Sequence, residues 1–151
     1  MNNLKKIFIT FLSALILTVA NTSSSFAKVE GDTIILGAAI SLTGKYSSNG
    51  VHTQNGYNLA VERINSMGGV KVKGKDYKFK IVYYDDESNS GRAAQLAERL
   101  IKQDGVQYML GPYSSGLTKA MAPVTEKYKI PMVEANGASR SLFTKGYKYL
   151  F

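Results

Sequence analysis

Beyond residue 27 the apolar positions of this chain alternate between two rhythms. TIILGAA (33–39) is a short run of β-branched and small residues, bounded by Gly31 and Asp32, and reads as a strand buried on both faces. From roughly His52 to Met67 the spacing of Tyr57, Ala60, Val61 and Ile64 predicts a helix, which Gly68 and Gly69 stop. A β-arm turning at Gly74-Lys75 leads into a second strand, YKFKIVYY (77–84). Ala93, Leu96, Ala97, Leu100 and Ile101 then form an apolar helical stripe. VQYML (106–110) predicts a third strand, and Leu117, Ala120, Met121, Val124 and Tyr128 stripe a third helix. IPMVEA (130–135) predicts a fourth strand, and KYLF at the end looks like the start of another.

Strand–helix alternation with short connections predicts an α/β fold, a doubly wound parallel sheet with helices on both faces. Right-handed crossovers bring the carboxyl ends of the strands to one edge, where such sheets bind their ligands. Three polar loops are expected at that edge: SLTGKYSSNG (41–50), GPYSSG (111–116) and EANGAS (134–139). They are rich in Gly, Ser and Asn and bring no cluster of carboxylates or imidazoles. That composition suits holding a ligand better than reacting with it.

The first 27 residues stand apart. MNNLKK is basic, IFITFLSALILTVA is apolar, and NTSSSFA ends in small residues, the three parts of a secretory signal peptide cleaved after Ala27. The apolar run is too short to span a bilayer comfortably, so a membrane anchor is the weaker reading. Cysteine is absent from all 151 residues, which excludes disulfides, zinc–thiolate sites, cysteine nucleophiles and a lipid-attached cysteine at the cleavage point. A freely soluble, unanchored mature chain is the expectation. The net charge of +8 includes a lysine cluster at Lys71, Lys73, Lys75, Lys78 and Lys80. Alternation along VKVKGKDYKFKIVYY sets many of these charges on a solvated strand face, and no nucleic-acid motif accompanies them.

Four chemistries compete for the polar loops. Gly37–Lys45 has the flavour of a phosphate cradle, but six residues separate its glycines where a P-loop has four, and Tyr46 stands where the metal-binding hydroxyl belongs. PYSSG resembles a nucleophile turn between strand and helix, yet the chain's one histidine, His52, lies upstream of it and reads as a solvent-facing residue. The acidic run Asp85-Asp86-Glu87 could ligate metal, but reads better as a cap that suits the dipole of the following helix. Lastly, Ser114 and Ser115 at a helix start offer hydroxyl and amide donors to an anion. Simple N-capping explains one serine, not two together with a second Asn-Gly-Ala-Ser loop facing the same edge. Passive binding without cofactor or metal is therefore favoured.

ILGAAISLTG, NGYNLAVERINSMGG, YYDDESN, LIKQDGV, GPYSSG and MAPVTEKYKIPMVEA, in that order before LFTKGY, resemble the leucine/isoleucine/valine-binding protein family. These are type I periplasmic solute receptors of ABC transporters, and the resemblance runs from about Thr33 to Phe151. It implies that residues 28–151 are the N-terminal lobe of a two-lobed receptor, a truncated piece lacking the second lobe. It implies an amino acid or similar small carboxylate or amide as ligand, ABC transporter permease subunits as partners, no enzymatic activity, and the periplasm of a Gram-negative cell as location. Matched residue by residue, Ser115 would grip the ligand carboxylate together with Gly137, Ala138 and Ser139, the last keeping the family's hydroxyl. Tyr113 and Ser114 would line the side-chain pocket, and Asn49 falls where some members use a tyrosine. Asn136 and the preceding Glu134-Ala135 depart from the family's Ser-Pro. A serine hydrolase and an extracytoplasmic ligand-sensing module are the rival readings.

Overall fold

The computed structural model describes residues 29–151, and the signal peptide expected over residues 1–27 lies outside them. The elements run β1 (Val29–Glu30), β2 (Thr33–Ile40), α1 (Ser47–Ser66), β3 (Val70–Val72), β4 (Lys75–Asp85), α2 (Ser90–Lys102), β5 (Met109–Leu110), α3 (Ser115–Tyr128), β6 (Met132–Val133) and α4 (Arg140–Phe143). Strands β4, β2, β5 and β6 are parallel neighbours in that order. The arm β3 lies antiparallel to β4, and β1 antiparallel to the start of β2. Leu150 bridges Met132 in the parallel sense, so KYLF does extend the sheet past β6.

Side chains alternate across a strand, so β2 offers odd and even residues to opposite faces. Ile35 and Ala39 enter a core closed by Leu96, Ala97 and Leu100 of α2 and by Leu117 and Met121 of α3. Gly37 stands on the same face because a Cβ there would lie 2.8 Å from Val106 and 2.9 Å from the Met109 sulfur. On the other face Tyr83, beside Ala38 in the register, donates to Asn58 of α1. Helices therefore cover both faces, and the sheet is doubly wound. The α1 face also keeps an apolar groove of about 350 Å³, lined by Ile34, Leu36, Val72, Tyr108, Leu110 and Val133 among others.

The expected elements are present, with shifted ends. The third and fourth strands shrink to two residues each, Met109–Leu110 and Met132–Val133. Val106 is diverted because its N–H closes α2 on the Leu100 carbonyl, and Pro131 has no N–H to give. Helix α1 begins at Ser47, so the loop expected over 41–50 ends early and Asn49 lies on the first helical turn. Gly50 accounts for this: its absent Cβ would fall 1.8 Å from the Ser41 carbonyl oxygen, and only glycine lets α1 press so closely on the end of β2. The hairpin turns at Lys73-Gly74, one residue before the expected place, with both residues at positive φ. Lys71, Lys73, Lys75 and Lys80 are exposed as expected, whereas Lys78 is half-buried and donates to the Asn65 carbonyl.

Candidate functional site

Two corners form where the parallel strands end. At the first, β2 and β4 stop side by side at Ile40 and Asp85. Asp85 accepts the amide N–H groups of Leu42 (2.9 Å), Thr43 (3.2 Å) and Glu87 (2.9 Å) and the Thr43 hydroxyl (2.7 Å). Asp86 is fully buried, and its Oδ1 accepts the Ser41 hydroxyl at 2.6 Å and the Ser88 N–H at 2.8 Å. The acidic run thus does not cap α2, contrary to expectation. Asn89 does so, accepting the Arg92 N–H at 3.0 Å, because the two aspartates are consumed by the loop across from them. No group of three or more His, Asp or Glu is placed to hold a metal ion among the described residues.

The second corner joins the loops after β5 and β6. Ser114 caps α3 by accepting the Leu117 N–H, and does so with φ 82° and ψ 140°, a conformation that favours glycine. Ser115 Oγ accepts the Ser139 N–H at 3.0 Å, and this single bond ties GPYSSG to EANGAS. The Ser139 hydroxyl in turn pairs with that of Ser141 at 2.8 Å. Glu134 supplies what the sequence reading missed. Its Oε1 accepts the N–H groups of Asn136 (2.6 Å) and Gly137 (2.7 Å), and its Oε2 accepts the Thr118 hydroxyl (2.6 Å). Two glycines make room for it: a Cβ at Gly111 would lie 2.2 Å from Oε2, and one at Gly137 2.8 Å from Cγ.

Beside this corner opens a cleft of about 390 Å³, walled by α1 and the two loops. Asn49, Tyr113 and Asn136, three of the residues proposed from the sequence, line it. Ser114, Ser115, Gly137, Ala138 and Ser139 adjoin these residues in sequence without forming its wall. The sequence reading missed His52, Thr53, Gly56, Tyr57 and Ala135, which complete the lining. Tyr57 belongs to the apolar stripe of α1 in the sequence, yet its hydroxyl donates to the Gly111 carbonyl at 2.8 Å. The ring of Tyr113 meets Tyr46 edge-on with centroids 5.6 Å apart, which fixes one aromatic wall.

Burial and hydrogen bonding compete at each carboxylate. For Asp85 desolvation acts upward, but the Thr43 hydroxyl and the amides of Glu87, Leu42 and Thr43 together outweigh it and hold the group below its ordinary range. For Asp86 desolvation wins over the Ser41 hydroxyl and the Ser88 amide, so its pKa is raised. Glu134 is likewise lifted, by desolvation that exceeds the help of Thr118, Asn136 and Gly137. Tyr57 is raised first by burial and then by the nearby charge of Glu134, so it stays a neutral donor. Neither Ser114 nor Ser115 is paired with a base among the described residues; the one is a cap and the other an acceptor for Ser139. The arrangement can present donors, aromatic surface and side-chain amides to a small molecule.

The sequence profile of the periplasmic binding protein family matches residues 33–151. The chain is 30% identical over 136 residues to the Leu/Ile/Val-binding protein homolog 8 of Brucella suis, covering 89% of this chain and 32% of that one. The structure is similar to that of a branched-chain amino acid transporter substrate binding protein from Streptococcus pneumoniae in complex with isoleucine, with a TM-score of 0.71 and 33% identity over 79% of this chain and 33% of that one. A solute binding protein from R. palustris in complex with 4-hydroxybenzoate is also similar, with a TM-score of 0.64 and 32% identity over 79% and 31% of the two chains. The chain therefore spans about a third of the length of the relatives it matches.

Proposed function

The chain belongs to the periplasmic binding protein family, and on that premise we propose that it is the ligand-gripping first lobe of an exported solute receptor. The ligand is a small carboxylate or amide, with amino acids the first class to test. Residues 1–27 export the chain, residues 28–151 form the first lobe, and a second lobe elsewhere in the full-length protein closes over the solute by a hinge motion that a permease reads. One observation carries this reading: the Ser139 N–H to Ser115 Oγ bond joins both candidate loops at the carboxyl edge, beside a cleft that Asn49, Tyr113 and Asn136 line. The relatives' ligands, isoleucine in one and 4-hydroxybenzoate in another, share a carboxylate and differ in everything else. A grip on the carboxylate by the hydroxyls of Ser115 and Ser139 suits both.

The serine pair favours holding over hydrolysis. A hydrolase needs a base within reach of its nucleophile, and here both serine oxygens already have amide partners. Titration calorimetry of the full-length protein against isoleucine, leucine, 4-hydroxybenzoate and short amides tests the reading. Saturable binding with the solute recovered unaltered is expected; turnover of an ester or amide would overthrow it. Residues 28–151 alone should bind weakly, because half of the enclosing surface is then absent.

A further inference from the structure

Glu134 occupies a place the sequence gives no reason to expect. It follows β6 directly, where a strand's end would turn its side chain to solvent, yet the side chain folds back over its own loop. Every polar atom of the carboxylate has a partner: Asn136 N–H and Gly137 N–H on Oε1, and the Thr118 hydroxyl on Oε2. The surroundings are fitted to it from three sides. Gly111, from the loop after β5, leaves the space that Oε2 fills, and Gly137 leaves the space for Cγ. Thr118, fully buried on α3, spans the gap: its hydroxyl lies 2.6 Å from Glu134 Oε2 and 2.9 Å from the Ser114 carbonyl, with one proton to donate between them. The loop after β5, the first turns of α3 and the 134–139 turn thus meet on one side chain.

We infer that Glu134 is a positioning residue of the ligand edge, whose Oε1 presets the 134–139 turn and so carries Ser139 to Ser115. This rests on the solute-receptor reading above and adds to it a residue that touches no ligand. A turn without an internal acceptor leaves two amides facing a desolvated edge, and the turn then has no fixed path between β6 and α4. With Oε1 in place, both amides are satisfied, Asn136 is directed into the cleft wall, and the Ser139 N–H reaches Ser115 two residues after the second bond. It follows that the amides of Asn136 and Gly137 are already engaged, so a bound carboxylate meets other donors at this edge.

The inference is tested without knowing the ligand. Hydrogen exchange is followed at the amides of Asn136, Gly137 and Ser139 in the full-length protein, its Glu134→Ala variant and its Glu134→Gln variant. Glutamine keeps an oxygen at Oε1, so it should retain wild-type protection. Alanine should speed exchange at all three amides by about tenfold or more, the loss expected for one hydrogen bond to a charged group. Unchanged protection in Glu134→Ala would overturn the inference, and so would equal damage by glutamine and alanine. Should the alanine variant not fold, the wild-type protein still answers. Its Asn136 and Gly137 amide resonances should follow a carboxyl group titrating above the ordinary 4.5 of glutamate, and Glu134→Gln should abolish that movement. Tyr57 from α1, with Tyr83 behind it, is the other titratable group coupled to this site, and both stay neutral throughout that range. The glutamine control also separates Glu134 from His52 in the cleft wall. Amide resonances indifferent to Glu134 would refute the role. Isoleucine and 4-hydroxybenzoate serve as binding probes: affinity lost in Glu134→Ala and kept in Glu134→Gln supports positioning. Failure of the wild type to bind any solute counts against the receptor reading alone, since the exchange result stands independently.

Discussion

Both corners at the carboxyl edge of the sheet are built on a carboxylate that accepts its neighbours' amides, yet Asp85 in one and Glu134 in the other shift in opposite directions. Asp85 lies near the surface, its four donors outweigh its modest desolvation, and its pKa falls. Glu134 has three donors and is half-buried, desolvation dominates, and its pKa rises. The first corner is closed by backbone against backbone, with Gly50 of α1 pressed on the Ser41 carbonyl. The second is closed by side chains that border an open cleft. Backbone packing therefore closes the edge where β2 and β4 end, and side-chain hydrogen bonds close it where β5 and β6 end.

Glycine-to-alanine pairs break this comparison most sharply. Gly50→Ala drives a Cβ into a backbone oxygen that cannot retreat and should cost about 3 kcal/mol or more in denaturant unfolding. Gly111→Ala meets instead the far end of the Glu134 side chain, which can swing away. It should cost roughly 1–2 kcal/mol while loosening the 134–139 turn. Equal losses at the two sites would erase the distinction between a corner closed by backbone and one closed by a side chain.

Next in size is Asp86. Replacement by alanine leaves the Ser41 hydroxyl and the Ser88 amide unpaired in a buried site, for about 1–3 kcal/mol. Asp86→Asn keeps Oδ1 and alters only Oδ2, which accepts no hydrogen bond from the described residues. Relief from burying a charge should then hold the cost below about 1 kcal/mol. Thermal unfolding of the two variants, compared at neutral pH, reads the difference.

The smallest effect is the dependence of stability on pH: Glu134 and Asp85 should pull in opposite directions, with Asp86, raised by burial, acting in the same sense as Glu134. Glu134 has a raised folded pKa, so its contribution is full below the ordinary 4.5 and is lost as pH rises through the folded value. Mild acidification should therefore stabilise the protein through this group, and Glu134→Gln should remove that increment. Asp85 has a lowered folded pKa, so its contribution is present above the ordinary 3.8 and is lost as pH falls through the folded value. Urea midpoints measured from pH 7 down to pH 3 should rise and then fall in the wild type. A monotonic fall would contradict the sign assigned to Glu134.

How much of this was legible beforehand follows from range. Periodicity is local, so the helices around Leu96 and Leu117 and the central strand TIILGAA could be read directly. Ser-Ser-Asn-Gly at 47–50 looked like loop because its composition is that of loops. Its helical state depends on Gly50 meeting Ser41, a contact that no window of sequence contains. Asp85 and Asp86 looked like helix caps because their true partners, Ser41 to Thr43, lie more than forty residues away. The serine loops were recognisable from polar composition at strand ends. Glu134 and Tyr57 were not, since a carboxylate after a strand and a tyrosine in an apolar stripe each look ordinary. The glycines at 111 and 137 were the available hint, and they acquire meaning only once the side chain between them is seen.

The direct test of the central claim is calorimetric titration of the full-length protein and its Ser115→Ala variant with isoleucine and with 4-hydroxybenzoate. Ser115 is taken to hold the solute's carboxylate, so its loss should weaken binding by about 1.5–3 kcal/mol, with the solute recovered intact. Unchanged affinity in Ser115→Ala, or a solute returned cleaved, would contradict the account.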